Sequence, residues 1–375
     1  MAEKKIKANR EPLIHITKRD DIGFAKSALI HFIGIVIALL LSATLIFVVT
    51  GSNPLQIFKS MFEGVIGTPI ANSGINKKYM ESVHIMAILL CISLAVTPAF
   101  KMKFWNIGAE GQVLMGCLAS AFCMIEFGGM VDNTVLLIIM VLASVLIGAL
   151  WAILPAICKA LWNTNETLFT LMMNYVAMTL VSYFIMVKDK SGRSDLGIIN
   201  ERTGYGYLPD LFGRNYIFNI LIVTAVVIFM FIYLKYSKQG YEISVVGESE
   251  NTARYIGINV KKVILRTVAL SGAICGLAGF MIVAGDKHSI NSSIVGGQGF
   301  TAIMVSWMAK FNPLLMIPVS MLIVFLSVGS KFATSAFRID NSIGDILTAI
   351  VIFSIIACEF FTRYKINFRS SKKGE

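Results

Sequence analysis

Residues 27–50 read SALIHFIGIVIALLLSATLIFVVT, without a single Asp, Glu, Lys or Arg. A hydrocarbon layer about 30 Å thick is crossed by roughly 20 helical residues rising about 1.5 Å each, so this run has the length and composition of a transmembrane helix. The preceding residues 1–26 are too long and too charged for the n-region of a signal peptide, and no small-residue cleavage site follows the run. It is therefore expected to be a retained span. The whole chain agrees: 56% of its 375 residues are hydrophobic and 15% charged, where soluble domains carry about 25% charged residues.

The same criterion finds candidate spans near 82–100, 107–127, 134–157, 167–187, 215–234, 266–285, 291–309, 312–330 and 343–361. The expected fold is an all-α polytopic membrane protein of about ten transmembrane helices. Lys and Arg gather on cytoplasmic loops. With both termini inside, 22 of the 33 basic residues fall on cytoplasmic segments and 11 outside, although the outer 188–214 loop carries five of the latter. This predicts a cytoplasmic arm at 1–26, a transmembrane domain at 27–362 with a long cytoplasmic loop at about 235–265, and a cytoplasmic tail at 363–375. A basic face toward anionic lipid accounts for the net charge of +11 and requires no nucleic-acid partner.

Ten spans divide into two sets of five, and an odd number per half gives the halves opposite orientation, the inverted repeat common in transporters. The third span opens with Gly108, Ala109, Glu110, Gly111 and Gln112; the eighth, its counterpart, opens with Gly296, Gly297, Gln298 and Gly299. Both are short and glycine-interrupted. Residues 53–67 (NPLQIFKSMFEGVIG) form an amphipathic stretch suited to a membrane surface. In the 235–265 loop, the centre ESENTARYIG reads as a short helix capped by Ser249 and stopped by Gly257.

An ionisable group at membrane depth is costly and faces either a watery pathway or a partner. Glu110 with Asn106 and Gln112 could line such a pathway. Alternatively, glycines at this spacing let helices approach and Glu110 pairs with a lysine such as Lys103. The first reading predicts that Glu110→Leu abolishes transport in an intact bundle; the second predicts that Leu is tolerated. Asn174, Gln298, Thr301, Ser306 and Trp307 are further lining candidates. Gly272, Gly276 and Gly279 fit close packing. Neither a phosphate-binding G-x-x-x-x-G-K-[ST] nor an H-E-x-x-H occurs, and four His make no metal cluster. Cys91, Cys117, Cys123, Cys158, Cys275 and Cys358 fall in or beside apolar runs without a CxxC pair, as packing thiols do.

The stretches FWNIGAEGQVLMG (104–116), NETLFTLMMNYVA (165–177), VVGESENTARYIGINVKK (245–262) and GFTAIMVSW (299–307) resemble the permease subunits of bacterial ABC importers. The branch is that of nucleosides and simple sugars, related to branched-chain amino-acid permeases. The resemblance covers roughly residues 80–310. It implies a non-enzymatic subunit of the bacterial cytoplasmic membrane, with ATP and Mg on a separate ATPase and no cofactor of its own. The implied partners are that ATPase, a second permease in a heterodimer, an external solute-binding lipoprotein and membrane lipid. The loop at 245–259 would be the coupling helix, with Gly247, Ala253, Arg254, Gly257 and Ile258 matching the family pattern, Glu248 available for charged contacts and Tyr255 for a pocket. Nucleosides are the implied cargo, with ribose-like sugars or riboflavin as alternatives. Trp307 and Lys310 depart from the small aliphatic residues and glycine usual at that place. An ion-driven secondary transporter would need a relay through the bundle, for which only Glu110, Asp345 and Glu359 are available.

Overall fold

The computed structural model describes residues 14–18, 24–51, 53–67, 74–190, 192–211 and 216–368. The described helices are α1 (Phe24–Thr50), α2 (Pro54–Ile66), α3 (Gly74–Lys101), α4 (Ala109–Glu126), α5 (Asn133–Trp162), α6 (Glu166–Lys188), α7 (Ile217–Tyr236), α8 (Lys238–Glu248), α9 (Glu250–Tyr255), α10 (Val260–Ile282), α11 (Gln298–Met308), α12 (Pro313–Ala336) and α13 (Asn341–Arg363). A π-helical turn, Val283–Lys287, extends α10. The chain separates into two compact units, residues 1–64 with 326–375, and residues 65–325.

In the first unit α1 packs along α13. Gly34 lies against Cys358 so closely that a Cβ at Gly34 would fall 1.9 Å from its Sγ. Strand β1 (Ile14–Lys18) pairs antiparallel with strand β2 (Tyr364–Phe368), Ile16 opposite Ile366. Parts of the expected arm and tail thus meet as a two-stranded ribbon; residues 24–26 begin α1 and Arg363 ends α13, and the other residues of both lie outside the described residues.

In the second unit the spans of α3 and α10 are 83% and 72% buried, whereas those of α5 and α6 are each 28% buried. The first pair forms the inner layer and the second the outer. On α5 the exposed residues Ile138, Leu142, Leu146 and Leu150 recur every four positions. Such a stripe is an aggregation hazard in water and a lipid-facing surface in a bilayer. Lys159 and Glu166 form a half-buried ion pair of 2.9 Å across the α5–α6 corner.

Lipid is as apolar as a leucine side chain, so burial of apolar area does little to hold these helices together. Close van der Waals approach at small residues does more. Here α10 wedges between α4 and α5 on glycines. A Cβ on Gly276 would fall 2.0 Å from Ser144 O, one on Gly272 2.4 Å from Gly148 O, and one on Gly279 2.4 Å from Val113 O. The close-packing reading of these three glycines is the one the structure shows. Cys117 fits the same crossing, its thiol 3.5 Å from Gly279 O.

Seven described helices are long and apolar enough to cross a membrane, or eight if α1 and α2, bent by 110°, count as one broken span. That is fewer than the ten expected. Helix α4 has only 18 residues and carries Glu110 in its first turn. Helix α11 has 11 residues, about 16 Å at 1.5 Å per residue, half a bilayer. The chain before it is broken by Gly296 and Gly297 at φ 63° and 77°, a left-handed backbone that glycine adopts without strain.

Candidate functional site

The link between α3 and α4, residues 102–108, is non-helical, with Lys103 at φ 62°. Its backbone groups need partners inside an apolar bundle, and α6 supplies them from one face. Asn174 Oδ1 accepts from Gly111 N at 2.8 Å, and its Nδ2 donates to Ile107 O at 3.0 Å. One turn earlier Thr170 Oγ1 accepts from Ile107 N at 3.1 Å. Gly111 is one of the first-turn donors that a helix leaves unsatisfied, so Asn174 acts as a cap supplied from outside α4. Asn106 and Gln112 pair their side-chain amides: Gln112 Nε2 donates to Asn106 Oδ1 at 3.1 Å, and Asn106 Nδ2 to Gln112 Oε1 at 3.3 Å. Asn106 Nδ2 also lies 3.4 Å from Ser271 Oγ on α10.

Glu110 reaches in the other direction. Its Oε1 accepts from Gly297 N at 2.8 Å and its Oε2 from Gly299 N at 2.7 Å. These N–H groups open α11, whose N-cap Gly297 has no side chain to receive them. A carboxylate there also meets the positive end of the α11 dipole. Gly299 is required by the contact, since a Cβ would fall 2.4 Å from Glu110 N. The partner of Glu110 is therefore a pair of backbone amides, not the Lys103 ammonium.

Asn106, Glu110, Gln112, Asn174 and Ser306 are all buried, the first four at 0 to 4% exposure. The Ser306 hydroxyl shares a hydrogen bond of 3.0 Å with that of Thr97 on α3. Gln298 and Thr301 are half-buried, and Gln298 Oε1 has no hydrogen-bond partner. Trp307 is 49% exposed and lies 5.3 Å, ring centre to ring centre, from Trp105, itself 43% exposed. Phe300 is also exposed, so the open side of α11 carries large rings. Sequence reasoning singled out neither Thr170 nor Ser271. The placement of Thr170 four residues before Asn174, on the same helical face, was the available signal for it. Nothing in the sequence marked Ser271.

At the far end of α7 the chain turns into α8 and α9. Ser249 Oγ accepts from Thr252 N at 3.3 Å, and Gly257 at φ 86° ends the turn, so the expected short helix and both of its boundaries are present. The 11-residue α8 before it was not expected. Its Gly247 presses on the end of α3, where a Cβ would fall 2.1 Å from Lys101 O. Arg266 on α10 holds Glu242 of α8 at 3.0 Å. Ala253 is buried and Ile258 half-buried, while Glu248, Arg254 and Gly257 are exposed. Tyr255 is 92% exposed and Ile256 51%. The contact under Gly247 leads into the 102–108 link and thence to Asn106 and Glu110.

A sequence profile described as "Branched-chain amino acid transport system / permease component" matches residues 79–356. The chain is 27% identical to the guanosine ABC transporter permease protein NupP of Bacillus subtilis, over 92% of this chain and 97% of that protein. It is 24% identical to the nucleoside ABC transporter permease protein NupB of Lactococcus lactis, over 93% and 98%. It is 27% identical to the glucose ABC transporter permease protein TsgB13 of Haloferax volcanii, over 86% and 85%.

Proposed function

The chain belongs to the branched-chain amino acid transport system / permease component family, and from that premise we propose that it is the permease of an ATP-driven nucleoside importer. It works with a separate ATPase, a second and non-identical permease and an external solute-binding protein, with both termini on the ATPase side. The observation that carries the coupling role is the tip of α9. Tyr255, almost fully exposed beside Ile256 and Arg254, has the character of an aromatic anchor for a partner's groove. Movement of that tip passes through α8, whose Gly247 bears on Lys101, into the link that positions α4. Glu110 then carries it to α11. On this reading Asn106, Glu110, Gln112 and Asn174 hold the moving parts in register. Gln298, Thr301, Ser306 and Trp307 belong to the helix that borders the pathway, and its exposed rings suit the flat face of a nucleobase.

Arg254→Glu tests the coupling. Arg254 bonds Glu250 at 3.3 Å on an exposed surface, and such pairs are worth about 0 to 1 kcal/mol. The variant is expected to keep its melting temperature and membrane insertion while uptake falls at least about tenfold, a loss of about 1.4 kcal/mol in interface free energy. Unchanged uptake with unchanged co-purification of the ATPase would remove the docking role. Competition between labelled guanosine and glucose for uptake decides the cargo, and displacement by glucose alone would replace the nucleoside reading with a sugar one. In a cysteine-free background, a cysteine at Lys190 should label from outside and one at Lys238 only after permeabilisation. Outside labelling at 238 would reverse the orientation.

A further inference from the structure

Helix α8 meets the ends of three spans, touching α3, α7 and α10. Its corner with α7 is fixed by Ser237, whose hydroxyl donates to Tyr233 O at 2.6 Å and accepts from Gly240 N at 3.0 Å. Gly240 packs on the same turn, where a Cβ would fall 2.5 Å from Tyr233 O. At the other end Gly247 bears on Lys101 O. Ile243 and Val246, between these two points in sequence, are 0% and 3% exposed. Helix α8 is thus a stiff bar held along its length.

Its bond to α10 is of a different kind. Arg266 Nη2 donates to Glu242 Oε2 at 3.0 Å, the two side chains being 29% and 17% exposed. The pair on α9, Arg254 with Glu250, is 64% and 51% exposed. Water and salt screen an exposed pair, and a half-buried pair much less. Arg266 Nε has no hydrogen-bond partner, which leaves the Glu242 carboxylate to answer the guanidinium charge. Removing either partner strands the other charge in a partly dry place.

The two kinds of contact transmit force differently. Gly247 on Lys101 is steric, so it passes on a push and gives way under a pull. A charge-assisted hydrogen bond resists separation as well. Arg266 stands six residues before Gly272, about 9 Å along the helix. Gly272 and Gly276 press on the α5 backbone at Gly148 and Ser144, so a displacement of Arg266 reaches that crossing with little slack. We infer that Arg266 is a positioning residue of the coupling, acting through Glu242. The pair ties α8 to α10, so that α10 follows the α9 tip when the ATPase draws it back as well as when it presses. This rests on the importer reading and adds to it the helix that is moved and the bond that moves it.

The test uses the full permease with its ATPase and binding protein, reconstituted in proteoliposomes. Uptake and ATP hydrolysis are measured on the same vesicles, with labelled guanosine and labelled glucose both offered. Glu242→Gln and Arg266→Gln are each expected to lower the solute moved per ATP hydrolysed at least about tenfold while the ATPase still co-purifies. Exchanging the charges, Glu242→Arg with Arg266→Glu, is expected to restore the ratio to within about threefold of wild type. Arg266→Lys keeps the charge without the planar fork and carries the test if the glutamine variants are not recovered, with an expected loss of about threefold or more. A merely structural role lowers uptake and hydrolysis in step, so a ratio unchanged in the recovered single variants overturns the inference. A charge exchange as poor as the single variants overturns it too. A wild type that retains no ATPase or moves neither solute removes the importer reading, and this inference with it. The two failures are told apart because the first shows in the variants alone and the second already in the wild type.

Discussion

Glu110→Leu is expected to abolish uptake and to lower the melting temperature of the detergent-solubilised protein. The carboxylate is the hydrogen-bond acceptor for Gly297 N and Gly299 N. Leu leaves the buried Gly299 donor unpaired at about 1 to 3 kcal/mol and the half-buried Gly297 donor unpaired at less than that. Glu110→Gln is expected to fall between wild type and Leu. Its amide oxygen can accept one of the two N–H groups, but its NH₂ meets the other as donor against donor. The sequence-based alternatives had assigned either a transport defect without instability or a tolerated Leu. Neither fits a carboxylate that caps another helix, because this packing contact is itself a pair of hydrogen bonds. Measuring uptake and melting temperature on the same preparations separates the roles. Lost uptake at an unchanged melting temperature would return Glu110 to the pathway, and normal values of both would remove the cap.

Gly276→Val is expected to prevent recovery of folded protein. A Cβ at this position falls 2.0 Å from Ser144 O and 2.8 Å from Ser144 C, on the backbone of α5. No rotamer change relieves a clash with a carbonyl, so α10 must move away from α5. Overpacking a well-filled core costs typically about 1 to 3 kcal/mol and occasionally more, and a clash with backbone belongs at the upper end. The loss of the close approach removes the contact that holds helices together in lipid. Gly192→Ala is the matched control: Gly192 has φ 78° with open space around it, so only conformational strain of about 1 to 2 kcal/mol applies. Monodisperse yield in detergent should collapse for Gly276→Val and stay close to wild type for Gly192→Ala. Equal yields would mean that α10 does not sit against α5 as described.

Membrane class, helix content and the α9 turn were legible from residues 1–375 alone, because each rests on short-range physics. A bilayer demands apolar side chains and internally satisfied backbone over about 20 residues, and residues 27–50 display that directly. Ser249 and Gly257 act on the turn they bound, so their roles needed no distant partner. The spacing of Gly272, Gly276 and Gly279 announced a close crossing without saying which helices cross. Their neighbours Ser144, Gly148 and Val113 on α5 and α4 emerge only once α10 is placed between those helices. Hydropathy likewise treats residues 291–309 as a span, since it sums side chains and does not register the left-handed break at Gly296 and Gly297 that leaves α11 a half-helix. The role of Glu110 lay furthest from reach. Its acceptors face N–H groups 187 and 189 positions along the chain, and a local pattern can mark a carboxylate as expensive in an apolar bundle but cannot say which backbone will come to meet it.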